Sequence, residues 1–85
     1  MVYQFTAILS GHEQMTQEMA EALYVAGCDD GHPWSSEGLA AVTFDREAAD
    51  LGEAIRSALA DVRRAGFQVT EVRLESEALA ALTIA

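Results

Sequence analysis

Leu39-Ala40-Ala41-Val42-Thr43-Phe44-Asp45, followed by Asp50-Leu51-Gly52-Glu53 and a stop at Gly66, decides how this chain folds. Ala40, Val42 and Phe44 alternate with Leu39, Ala41 and Thr43, the period of two expected of a strand with unlike faces. Asp50 supplies a helix N-cap with Glu53 three positions on. Leu51, Ile55, Ala58, Leu59 and Val62 then fall along one helical stripe. Gly66 sits where a left-handed C-cap ends such a helix.

The N-terminal part has the same plan. Tyr3, Phe5, Ala7 and Leu9 alternate with Val2, Gln4, Thr6 and Ile8, a half-buried strand over residues 2–9. Ser10 and Glu13 have capping-box spacing, and Met15, Met19, Ala22, Leu23 and Ala26 follow at helical intervals. These features predict a helix over about residues 12–26, closed by Gly27. Residues 28–38 are rich in breakers and short polar side chains, which predicts a turn-rich connection with one brief strand near 28–32. Phe67 to Glu75 reads as the last strand, with Thr70, Val72 and Leu74 on one side and Val69, Glu71 and Arg73 on the other. The alanine- and leucine-rich end predicts a short helical tail over 78–85, beyond a domain spanning 1–77.

The order β-α-β-β-α-β is the ferredoxin-like α+β pattern, with both helices on one face of a four-stranded antiparallel sheet. The expected core is Tyr3, Phe5, Ala7, Leu9, Val42, Phe44, Met15, Met19, Leu23, Leu51, Ile55, Leu59 and Val62. The uncovered sheet face then carries Val2, Gln4, Thr6, Ile8, Leu39, Ala41 and Thr43. A solvated face is tolerated by antiparallel sheets. Val2, Ile8 and Leu39 would form an exposed apolar patch there, which favours a docking or homodimer surface instead.

Composition sets the limits on function. Among 85 residues, 51% are hydrophobic and 22% charged, a globular balance for one small domain. Fourteen acids stand against five arginines and no lysine, a net charge of −9. That charge opposes contact with nucleic-acid phosphates and with anionic membrane surfaces. No stretch approaches the ~18–20 apolar residues of a membrane helix. The N-terminus lacks the basic region of a signal peptide, so a cytoplasmic protein is expected. Cys28 is the single cysteine, which excludes an intrachain disulfide.

Candidate chemistry is sparse. His12, Cys28, Asp29, Asp30 and His32 are of metal-ligating type, but their spacing fits no closed zinc pattern and no calcium loop. Asp29 and Asp30 suit turn formation, and Cys28 suits a small buried site. No metal, cofactor or catalytic residue is therefore assigned. No phosphate loop, nucleophile elbow or zinc-protease motif is present, so a non-enzymatic chain is expected. Trp34, the only tryptophan, follows His32-Pro33 in a polar stretch. It reads either as a lid folded over a helix end or as an aromatic binding anchor. Arg63-Arg64 complements the dipole at the end of the second helix.

Met1-Val2-Tyr3-Gln4-Phe5-Thr6, Ala26-Gly27-Cys28-Asp29-Asp30 and Phe44-Asp45-Arg46-Glu47-Ala48, with the stretch from Ala54 to Phe67, resemble a family of small uncharacterised bacterial proteins. The resemblance covers about residues 1–77. In many members of that family the matching domain precedes a predicted helix-turn-helix, which implies part of a transcriptional regulator or its accessory protein. Here Glu77 to Ala85 falls where the first helix of that motif would begin, implying either a shortened chain or a member that keeps the partner-binding half. The expected function is a protein-interaction or dimerisation module. The alternatives are a small-ligand or metal-sensing domain using the 28–38 loop, and an acidic inhibitor of a basic-site protein.

Overall fold

The computed structural model describes residues 1–74. They form an α+β unit in the order β1 (Val2–Leu9), α1 (Gln17–Val25), β2 (Gly31–Ser36), β3 (Leu39–Glu47), α2 (Leu51–Arg64) and β4 (Val69–Leu74). The strands make one sheet in the order β2-β3-β1-β4, and every neighbouring pair is antiparallel. The tail expected over 78–85 and the last residue of the expected 67–75 strand lie outside the described residues.

One cluster of buried residues gathers side chains from both helices and from one side of the sheet. Phe5, Ala7 and Leu9 of β1 and Ala40, Val42 and Phe44 of β3 meet Leu23 of α1 and Ala54, Ala58 and Val62 of α2. Phe5 and Phe44 lie opposite each other across the β1–β3 pair and stack at 5.4 Å. The expected Leu51, Ile55 and Leu59 are only partly buried, because the innermost stripe of α2 runs 54, 58, 62. Alanine at two of those three positions lets the helix approach the sheet closely. Tyr3, Met15 and Met19 also pack on the margin of the cluster.

Three local departures from expectation have physical causes. Ser10 does not cap α1. Its N–H donates to the Gln68 carbonyl and Gly11 turns the chain at φ 77°, so residues 11–15 precede the helix. Thr16 is the cap, accepting from the Met19 N–H at 3.1 Å. Asp50 caps α2 as expected, accepting from the Glu53 N–H at 2.7 Å.

The second departure concerns residues 28–38, where most of the expected loop is strand. Glu37 (φ 51°) and Gly38 (φ 78°) form a two-residue turn with both central residues at positive φ, which fixes Ser36 opposite Leu39 and so places β2 at 31–36, not 28–32. A Glu-Gly turn carries less signal than Asn-Gly or Asp-Gly. Third, the β1–β4 register shifts between Ile8 and Leu9, and Val69 packs with Val72 and Leu74 against the core instead of lying with Glu71 and Arg73.

Candidate functional site

Opposed residues of an antiparallel pair share a face, so the register assigns each expected docking residue. Thr6 lies opposite Thr43, Ile8 opposite Ala41, and Trp34 opposite Ala41 on the other side. Gln4, Thr6, Ile8, Leu39, Ala41, Thr43 and Trp34 therefore occupy one face, the one away from the helix-side cluster. Trp34 is not a lid over a helix end. Its indole N–H donates to Thr43 Oγ1 at 2.8 Å, and Thr43 Oγ1 lies 3.0 Å from Thr6 Oγ1. An indole fixed at its polar end presents its ring in one orientation while keeping 36% of its surface open.

The face is less open than its pattern predicts. Ile8 retains only 2% of its surface, Ala41 none and Thr6 7%. Gln4 and Val2 are exposed, and Leu39 and Thr43 are half-buried. The accessible part is thus Trp34 with the uncharged Gln4, Leu39 and Thr43. The register adds charged neighbours on the same face: Asp45 opposite Gln4, Arg73 opposite Thr6 and Glu71 opposite Ile8, with Arg73 and Glu71 paired at 2.8 Å. On the same face His32, opposite Thr43, brings its Nε2 to 3.8 Å from Asp45 Oδ2, with the imidazole well exposed.

The most elaborate polar arrangement lies on the helix side and centres on Arg46, a residue singled out by nothing in the sequence reading except its place in a familiar segment. Period-two alternation continues Ala40, Val42 and Phe44 into Arg46, so β3 sends its side chain inward, where it is 8% exposed. Asp30 receives a two-pronged contact from Nε and Nη2, both at 2.8 Å. Nη1 reaches Asp61 Oδ2 at 2.9 Å and Ser57 Oγ at 3.3 Å, and Nη2 also meets the Gly27 carbonyl at 3.1 Å. Arg64 completes the group, donating to Asp61 Oδ1 and to the Ala26 carbonyl, both at 2.9 Å.

Two guanidiniums face two carboxylates in this network, so formal charge cancels. All five Arg46 N–H groups have acceptors, and no buried side-chain nitrogen or oxygen among the described residues lacks a partner. Asp30 hydrogen bonds, above all, hold the Arg46 proton more tightly than in free arginine. Arg46 itself therefore has no free N–H to offer a substrate, while the Arg64 side chain stays largely exposed. The work of the network is to tie the segment after α1 to β3 and α2.

Cys28 lies 2% exposed beside this network. Burial, reinforced chiefly by the Asp61 carboxylate against the opposing pull of Arg46, pushes its thiol up to about 11. A nucleophilic cysteine needs the opposite shift. The consequence for stability has a definite sign. The unfolded chain releases this proton near the ordinary value of 9.0, the folded chain near 11, so the contribution is complete below pH 9 and lost between 9 and 11. Urea midpoints at pH 8 and 10.5 should fall more for the native chain than for Cys28→Ala. Equal falls would show that the thiol does not carry this alkaline loss.

The metal-type residues are dispersed. His12 stands edge-on to Phe67 at 5.3 Å, His32 faces Asp45, Asp30 is engaged by Arg46, and Asp29 is exposed. Among the described residues no group of three or more His, Cys, Asp or Glu side chains converges on one point. No described helix is long and apolar enough to cross a membrane. Set against protein-family models, curated proteins and solved structures, the chain matches none of them.

Proposed function

We propose that this chain is a non-enzymatic interaction module that pairs with a second copy through the sheet face bearing Trp34. The observation that carries this reading is the tryptophan held by Thr43 on the sheet face away from the helices. A fixed, part-exposed indole is the residue type most enriched among binding hot spots, and fixing it beforehand reduces the entropy lost on docking. Net charge of −9 makes two copies repel at long range. Contact between them is less opposed around Trp34, where Gln4, Leu39 and Thr43 are uncharged, Glu71 pairs with Arg73, and Asp45 stands beside His32. A chain of this size also gains much from added burial, since a small domain buries a small fraction of its surface.

The element order, with strands arranged β2-β3-β1-β4, supports reading the frame as ferredoxin-like, a frame that leaves one sheet face for docking. Resemblance to the domain preceding a predicted helix-turn-helix supports a regulatory or accessory setting for such a pair. Light scattering across protein concentration is the test. The native chain should move from monomer to dimer, and Trp34→Ala should shift that transition by at least about 30-fold, the equivalent of a 2 kcal/mol hot spot. A native chain that stays monomeric at millimolar concentration overturns the reading.

A further inference from the structure

A groove of about 470 Å³ runs along the other flank of the molecule, between α1 and the edge strand β2. Ala20, Tyr24 and Val25 of α1 form one wall, Pro33 the other, Cys28 adds to the lining, and Glu21 stands at the rim. Tyr24 is 67% and Val25 84% exposed. Leu23 is the only fully buried residue of α1, so this helix turns two large apolar side chains outward without gain to the core. Such an exposed pair beside a concave strip marks a binding surface.

We infer that this groove receives an amphipathic helix of a partner protein, with an apolar stripe flanked by Lys or Arg. Charge selects the partner. Residues 1–45 contain seven acids and no lysine or arginine, and Glu18 and Glu21 lie on α1 itself. A second copy would bring acid against acid, and phosphate-bearing ligands are repelled equally, whereas a basic rim is steered in. Backbone geometry selects the shape. The two-residue turn makes Ser36 and Leu39 a hydrogen-bonded pair, and alternation from there points the Pro33 nitrogen to the free edge of β2. Proline has no N–H, and the Gly31 N–H is committed to the Cys28 carbonyl. That edge offers no run of donors for an added strand, so side-chain contacts at helical spacing, not a β-ladder, are the available mode.

The test uses the full chain with a labelled 18-residue Leu/Lys amphipathic helix, read by fluorescence anisotropy, beside a Leu/Glu peptide of the same pattern. The Leu/Lys peptide should bind and the Leu/Glu peptide should not. Val25→Asp adds negative charge, which strengthens any purely electrostatic attraction but spoils an apolar wall. It should weaken binding at least tenfold, as should Tyr24→Ser, while Val2→Asp on the sheet face leaves binding within twofold. Circular dichroism confirms that each variant is folded. Unchanged or tighter binding by Val25→Asp, equal binding of the Leu/Glu peptide, or equal loss with Val2→Asp overturns the inference. Light scattering keeps the two surfaces apart, because Val25→Asp should leave self-association through Trp34 unaltered.

Discussion

Replacing Arg46 by methionine is expected to destabilise the chain by about 3–5 kcal/mol, the range for removing one partner of a buried ion pair. A domain of this length has a total stability of about 4–13 kcal/mol at ~0.05–0.15 kcal/mol per residue, so this loss is a large share of the whole. The loss arises less from the missing attraction than from what stays behind. Asp30 loses the fork that binds it, Asp61 keeps only Arg64, and the Gly27 carbonyl loses its donor. The guanidinium also stands 5.2 Å from the centre of the Phe44 ring, a contact that goes with it. Arg46→Lys should recover little, because an ammonium cannot reproduce a planar fork reaching four acceptor groups.

Urea denaturation at low and high salt checks the Arg46 prediction. A buried network is weakly screened, so the difference between native and variant should persist at 1 M salt, where a surface pair would fade. Its pH behaviour has a sign as well. The folded chain holds the Arg46 proton above the ordinary arginine range, so the contribution is complete at every pH below that range and gives no loss between pH 6 and 10. A loss of under 1 kcal/mol for Arg46→Met would mean that the network merely decorates the fold.

Much of the frame is legible in the sequence, and the parts that are not share a cause. Alternation in 2–9 and 39–45 places Phe5, Ala7, Leu9, Val42 and Phe44 on one side, and Asp50 with Glu53 marks the start of α2, because these signals are local. Thr16 and Ser10 both have the chemistry of an N-cap. The choice between them depends on Ser10 pairing with Gln68, far along the chain. Burial of Ile8 and Ala41 is likewise invisible to a periodic pattern, which assigns a face but not its cover. Arg46 is the instructive case. Parity alone aims it at the core, and an inward arginine requires carboxylates, but Asp30 and Asp61 stand 16 and 15 residues away on other elements. Only the fold brings them to hydrogen-bonding distance.

Gly27 and Gly66 look alike in sequence, each closing a helix, and they should respond unequally to alanine. Both have positive φ, 117° and 97°, which an L side chain rarely adopts. A Cβ at Gly66 would meet nothing within 4 Å, so Gly66→Ala should lose about 1–2 kcal/mol from backbone strain alone. At Gly27 the same atom would stand 2.9 Å from Asp61 Oδ2, the oxygen that Arg46 Nη1 holds, while the Gly27 carbonyl is itself an Arg46 acceptor. Relief requires moving either that carboxylate or that carbonyl, and either motion loosens the network, adding about 1–3 kcal/mol of overpacking. Gly27→Ala should therefore lose about 2–5 kcal/mol. Most of its excess over Gly66→Ala should vanish in an Arg46→Met background, where Asp61 is free to turn. Urea midpoints of the three single and two double variants decide it, at low temperature where the weakest remain folded. An equal penalty at Gly27 in both backgrounds would locate the strain in the backbone and not in the Asp61 contact.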